Sequence, residues 1–294
     1  MKVAGIVPMF IVVLAVRLHC TSIVYSFRVA EVIRLTPSQI APSNERFLGF
    51  TYYGKKFDST REISTGLMAT YRYNKKNLYI QVDSAVGHVE SLFQGCKFQR
   101  TQTDDILLSI GYSKQLTKKI KGTVTSIFGF PTHADLSPEG IQFGIAHNSF
   151  GLQMDGVFLC SNKGNQSILA AARYFRIFPG NITMTTDTTK NIIVLDIGNL
   201  VDVLVGYSYT FGLNGLEFGY NPEFLFSGST CPHIAAIENK LHYIESYFYG
   251  AYYRIFLRKV HTQFVSLVFT YGIEHRPKIY KQIIYAWATW SVNF

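Results

Sequence analysis

Between Val201 and Phe211 the chain alternates residue by residue, with Val201, Val203, Val205, Tyr207, Tyr209 and Phe211 on one parity and Asp202, Leu204, Gly206, Ser208 and Thr210 on the other. Successive side chains of a β-strand point to opposite faces, so this is a strand with one apolar face and one small or polar face. The pattern recurs from Glu62 onward. Ile63, Thr65, Leu67, Ala69, Tyr71 and Tyr73 oppose Glu62, Ser64, Gly66, Met68, Thr70 and Arg72. Leu78, Ile80 and Val82 alternate with Tyr79, Gln81 and Asp83, and Ile106, Leu108, Ile110 and Tyr112 with Leu107, Ser109, Gly111 and Ser113. After residue 26 every apolar run is broken within a few residues by polar groups, well short of the ~20 that a membrane helix needs. If such a chain enters a bilayer, it must do so as a closed sheet, because lipid cannot satisfy a free backbone edge.

Segments of this kind fall near 46–53, 62–73, 77–86, 105–115, 122–130, 140–147, 150–160, 166–178, 190–197, 200–211, 216–226, 242–256, 262–272 and 280–294. These predict a single antiparallel up-and-down transmembrane β-barrel of about 14 strands. Asn214-Gly215 is a two-residue hairpin signal at the end of the clearest strand. With the first strand running outward, the even-numbered connections should be the short periplasmic ones, and most are. The ninth strand breaks the rule: 179–189 is long on the periplasmic side and Gly198-Asn199 is short on the outer side. That conflict keeps 12 strands open.

A soluble β-sandwich shows the same alternation, but three features separate the two. Tyr71, Tyr73, Tyr112, Tyr207 and Tyr209 sit near strand ends on the apolar parity, as in an aromatic girdle. The opposite faces carry Gly, Ser, Thr and scattered charge, which suits a hydrated lumen. Several segments reach ten or more residues, and a tilted strand crosses a bilayer in ~9–11. Composition agrees, at 15% aromatic and only 16% charged.

The final segment sets Ile284, Ala286, Ala288, Trp290, Val292 and Phe294 against Tyr285, Trp287, Thr289, Ser291 and Asn293. It resembles the closing strand of bacterial outer-membrane β-barrel proteins of the porin and channel kind, with Phe294, Val292 and Trp290 in the positions of the membrane-insertion signature. The resemblance implies residence in the bacterial outer membrane, contact with its bilayer, and recognition by the barrel assembly machinery. Lys2, the apolar run Val3 to Val16 and the patch ending Val24-Tyr25-Ser26 have the layout of a secretory signal peptide, residues 1–26, leaving 27–294 as the barrel domain.

Losing Lys2 and Arg17 with the signal lowers the formal charge from +9 to +7. A basic excess suits nucleic acid or anionic lipid. The doublets Lys55-Lys56, Lys75-Lys76, Lys118-Lys119 and Arg258-Lys259 punctuate turns and do not line one helix face, which argues against nucleic acid. No cofactor or metal motif occurs, and nothing here sets an oligomeric state.

On this topology the lumen collects Glu62, Arg72, Asp83, Asp155, Arg173, Asp202, Glu217 and Arg254, with Tyr285 and Trp287 on the inward parity of the last strand. Charge on the wall and the width of the pore set what a channel passes. A narrow channel for small polar solutes is the leading expectation, with Met68, Tyr79, Phe175, Phe248 and Tyr252 as bulky residues that narrow it. A structural or adhesive barrel working through 87–104 and 227–241 is an alternative.

His147 and Ser149 raise another alternative. Outer-membrane phospholipase A and the lipid A deacylases pair His as base with Ser as nucleophile at the lipid-facing wall, and this spacing resembles theirs. Those families tend to follow the Ser with Asn, where Phe150 stands here, and the third role would fall on Asn162 in a loop. Asn148-Ser149 also suits a tight periplasmic turn, which is the preferred reading, so no catalysis is expected. Cys96, Cys160 and Cys231 are all expected at the external end, where two of them would be free to bridge in an oxidising compartment.

Overall fold

The computed structural model describes residues 46–57, 62–93, 96–103, 105–132, 135–136, 148–160, 165–185, 190–195, 198–227, 243–257, 262–276 and 279–293. Residues 1–26, the expected strand 140–147, His147, Cys231 and Phe294 lie outside them. The strands are β1 (Arg46–Phe57), β2 (Glu62–Lys75), β3 (Leu78–Phe93), β4 (Cys96–Thr103), β5 (Ile106–Thr117), β6 (Ile120–Phe130), β7 (Asp135–Leu136) and β8 (Ser149–Leu159). They continue as β9 (Gln166–Ile177), β10 (Gly180–Thr185), β11 (Lys190–Leu195), β12 (Gly198–Phe211), β13 (Asn214–Ser227), β14 (Tyr243–Leu257), β15 (Thr262–Arg276) and β16 (Ile279–Asn293).

Thirteen of these strands form one sheet. β1 pairs antiparallel with both β2 and β16, and β2 pairs with β3, so the sheet closes on itself. β4 lies against the end of β3, where Val86 meets Thr103, and β5 takes over further down, where Asp83 meets Leu107. β4 is therefore an extension of a hairpin and not a separate stave. The ring itself runs β1, β2, β3, β5, β6, β8, β9, β12, β13, β14, β15, β16 and contains twelve strands among the described residues.

Twelve is the smaller of the two numbers read from the sequence. The alternation at 190–197 predicts a wall strand, but β11 pairs with β10 in a separate three-stranded sheet that also holds β7. Proline at 179 lacks an N–H and cannot extend the ladder of β9, so the wall strand stops at Ile177. The span 178–197 is then a single long connection containing a hairpin. The loop-length conflict at the ninth strand disappears, and the strand ends Lys75 and Leu78, Thr117 and Ile120, Leu159 and Gln166, Phe211 and Asn214, and Leu257 and Thr262 all fall at one end of the ring. We call this the turn end, and the opposite one the loop end.

The two faces of the ring separate by parity as alternation requires. Outward lie Leu67, Ile80, Val86, Ile110, Met154, Val205, Phe218 and Phe269, all exposed. Aromatic side chains flank this band, with Tyr73, Tyr112, Tyr209 and Tyr252 towards the turn end and Phe130, Tyr174 and Tyr271 towards the loop end. Tyr hydroxyls there find polar partners, as when Tyr252 donates to Asn214 Oδ1 at 2.7 Å and Tyr174 to Asn199 Oδ1 at 2.8 Å. An apolar ring with a satisfied hydroxyl suits a bilayer boundary.

Inward-facing aromatics lie over glycines on neighbouring strands. Tyr79 is directly opposite Gly111, Phe175 opposite Gly151, Tyr249 opposite Gly219 and Tyr253 opposite Gly215. A Cβ built on Gly111 would sit 2.0 Å from the Tyr79 ring, and one on Gly215 2.1 Å from that of Tyr253. Each ring occupies the space a side chain would need, so it rests on the wall. This corrects the hairpin expected at Asn214-Gly215. The turn is Gly212-Leu213, with Gly212 at a φ of 63°, and Asn214 already pairs with Phe211. Gly215 is required for the ring above it and not for a turn.

Candidate functional site

The inner wall is the candidate site. Parity carries Arg72, Asp83, Arg173, Asp202 and Glu217 inward, all buried, and Asp155 inward and half-buried. Backbone register places Tyr285 opposite Thr270 and Trp287 opposite Val268, and both of those partners face inward and are buried. Glu62 is paired with Phe57 in register. The side chains of Glu62, Tyr285 and Trp287 lie outside the described residues.

Arg254 is corrected. Tyr247 and Tyr253 are the buried members of β14, which puts the opposite parity, including Phe248, Tyr252 and Arg254, on the outer face. The Arg254 guanidinium sits 5.2 Å from the Phe256 ring at the turn end. The segment Tyr247 to Arg254 carries aromatics on both parities, so its alternation gave no reliable sense of inside and outside.

The wall also holds charges that strand-by-strand reading missed. Asp105 and Glu223 are inward and buried, and Lys121 is inward and half-buried. Glu223 follows Asn221-Pro222, which looks like a turn, and Asp105 and Lys121 flank strand ends. Carrying parity onward from Glu217, Leu107 and Thr125 would have found all three.

Specific contacts order this wall. Arg173 Nε donates to Asp202 Oδ2 at 3.0 Å, with both side chains almost wholly buried. Thr70 Oγ1 donates to Asp83 Oδ1 at 2.6 Å and Gln81 Nε2 to Asp83 Oδ2 at 2.9 Å. Gln153 Nε2 donates to Asp155 Oδ1 at 3.1 Å, and the Tyr249 hydroxyl to Glu217 Oε1 at 2.7 Å. The Arg72 guanidinium stacks on Tyr79 at 3.4 Å, within cation–π range, and its Nε donates to Asn74 Oδ1 at 3.0 Å. The Tyr79 hydroxyl is bonded to Thr125 in turn. Gly111, Tyr79 and Arg72 thus form a stack from the wall towards the lumen.

The hydrolase and thiol expectations meet specific geometry. Ser149 begins β8 at the loop end, not in a periplasmic turn, because the connection before it joins β6 to β8 on that side. It faces inward, is buried and packs against Gly129, so its hydroxyl is turned away from the lipid-facing wall. Cys160 is exposed and free, and lies at the turn end beside Leu159. Cys96 opens β4 at the loop end, opposite Phe93. The expectation of three cysteines at one end is therefore corrected, and Cys96 and Cys160 are too far apart to bridge.

No protein-family model matches the sequence, and no curated protein is similar to it. Solved structures are similar in backbone. An outer membrane channel from Pseudomonas putida F1 superposes with a TM-score of 0.64 at 12% identity, covering 86% of this chain and 97% of that one. The translocator domain of the autotransporter NalP from Neisseria meningitidis gives 0.52 at 10% identity, covering 90% of this chain and 93% of that one. The fold is that of an outer-membrane β-barrel. At such identities the likeness extends to the path of the backbone, while the inner-wall residues are this chain's own.

Proposed function

We propose that the protein is an outer-membrane channel that passes small polar solutes through a narrow lumen without catalysis. One observation carries this reading: the ring closes with an apolar, aromatic-flanked outer face and an inner face of Arg, Asp, Glu, Gln and Tyr. Lipid on one side and water on the other is the condition that stabilises both faces at once. Burial of the inward side chains favours a narrow passage over a wide one. Ser149, inward and buried, is poorly placed to attack a lipid ester.

The proposal includes export through a signal peptide at 1–26 and insertion by the barrel assembly machinery through Phe294, Val292 and Trp290. Trp290 is exposed on the outer face, where such a signal is accessible. Purified protein in planar bilayers should give discrete single-channel currents. Folded, inserted protein that carries no current would refute the channel and leave the structural or adhesive reading.

A further inference from the structure

We infer that this channel prefers cations to anions, even though the chain as a whole is basic. The inference rests on the channel reading above. Among the described residues the inward face carries the carboxylates Asp83, Asp105, Asp155, Asp202, Glu217 and Glu223 against the cations Arg72, Lys121 and Arg173. Several of the other described basic residues lie off this face. Lys75, Lys76, Lys114, Lys118 and Lys119 are exposed on or beside two tight turns, and Arg254 is on the outer face. The net charge of the chain and the charge of the described inner wall therefore have opposite signs.

Several carboxylates are held by neutral donors, namely Thr70 and Gln81 on Asp83, Gln153 on Asp155 and Tyr249 on Glu217. Of the wall's cations, Arg173 is bonded to Asp202. Arg72, stacked on Tyr79, also interacts electrostatically with Asp83 and Asp155, and Lys121 interacts with Asp155. The described carboxylates outnumber these cations six to three.

Charge is also graded along the axis. Arg72 and Lys121 lie near the turn end together with Asp155 and Glu217. Asp105, Asp202 and Glu223 lie towards the loop end, with Arg173 as the one described inward cation there. A solute entering from the loop end meets acidic groups first. In a narrow pore with low-dielectric walls such a field is focused, and it selects by sign.

The test is the reversal potential of the purified protein in planar bilayers under a tenfold KCl gradient. The expected result is a permeability ratio of K⁺ over Cl⁻ of about 3 or more at low salt, declining as ionic strength rises. The pair Glu217→Gln and Glu223→Gln should lower that ratio by about half, and Lys121→Gln should raise it. A conducting wild-type protein with a ratio at or below one overturns the cation preference and leaves the channel standing. Absence of current overturns the channel and the preference together. A ratio that none of these substitutions moves overturns the assignment to the wall, and the wild-type salt dependence stands as a separate check should a variant fail to fold.

Discussion

At the scale of single residues, the inner wall is built from pairs in which one member makes room for the other. Gly111 has no side chain because the Tyr79 ring occupies that volume, and the Arg72 guanidinium holds the ring from the lumen side. Gly111→Ala should therefore destabilise the barrel by about 1–3 kcal/mol, the range for overpacking. Combining it with Tyr79→Ala should recover part of that loss, as a double-mutant cycle in urea unfolding would show. Arg173→Met should cost about 3–5 kcal/mol by leaving Asp202 buried without its cation. Adding Asp202→Asn should return most of it, measured in the same assay. Of these residues, the sequence showed Arg72, Arg173 and Asp202 facing the interior by parity alone. It did not show the glycine and ring pairs, because which residues are opposite depends on register between strands far apart in sequence.

At the scale of elements, a strand was legible wherever polarity alternated, and obscure where it did not. β12 and β2 have clean alternation and were placed within two residues at each end. β3, β1 and β15 run several residues past the segments read for them, since a ladder of backbone hydrogen bonds continues without any apolar face to announce it. The turn after β12 was misplaced because Asn214-Gly215 carries the chemistry of a hairpin, while Gly212 supplies the left-handed residue. The outer face can be tested at the centre of β12. Val205→Arg should destabilise the barrel in lipid vesicles by about 2–4 kcal/mol, the cost of a cation at the bilayer midplane. A cost near zero would mean that this face does not meet lipid.

At the scale of the whole molecule, closure decides the topology, and topology decides which end each loop occupies. Cys160 is exposed at the turn end and Cys96 opens β4 at the loop end. A membrane-impermeant maleimide should therefore label Cys160 in cells with a permeabilised outer membrane and leave it unlabelled in intact ones. Labelling of Cys160 in intact cells would invert the orientation. By itself the sequence determined that the described part of the chain is built of strands, that these have one lipid-like and one polar face, and that no described segment has the apolar length of a membrane helix. Those properties are local, set by the side-chain period of two and the length of apolar runs. The tertiary structure alone decided the closure of the ring, with twelve strands among the described residues, the removal of 190–195 from the wall, the outward placement of Arg254 and the inward placement of Asp105 and Glu223. Each depends on which distant backbone a strand pairs with, and pairing is a long-range choice that alternation within one segment cannot encode.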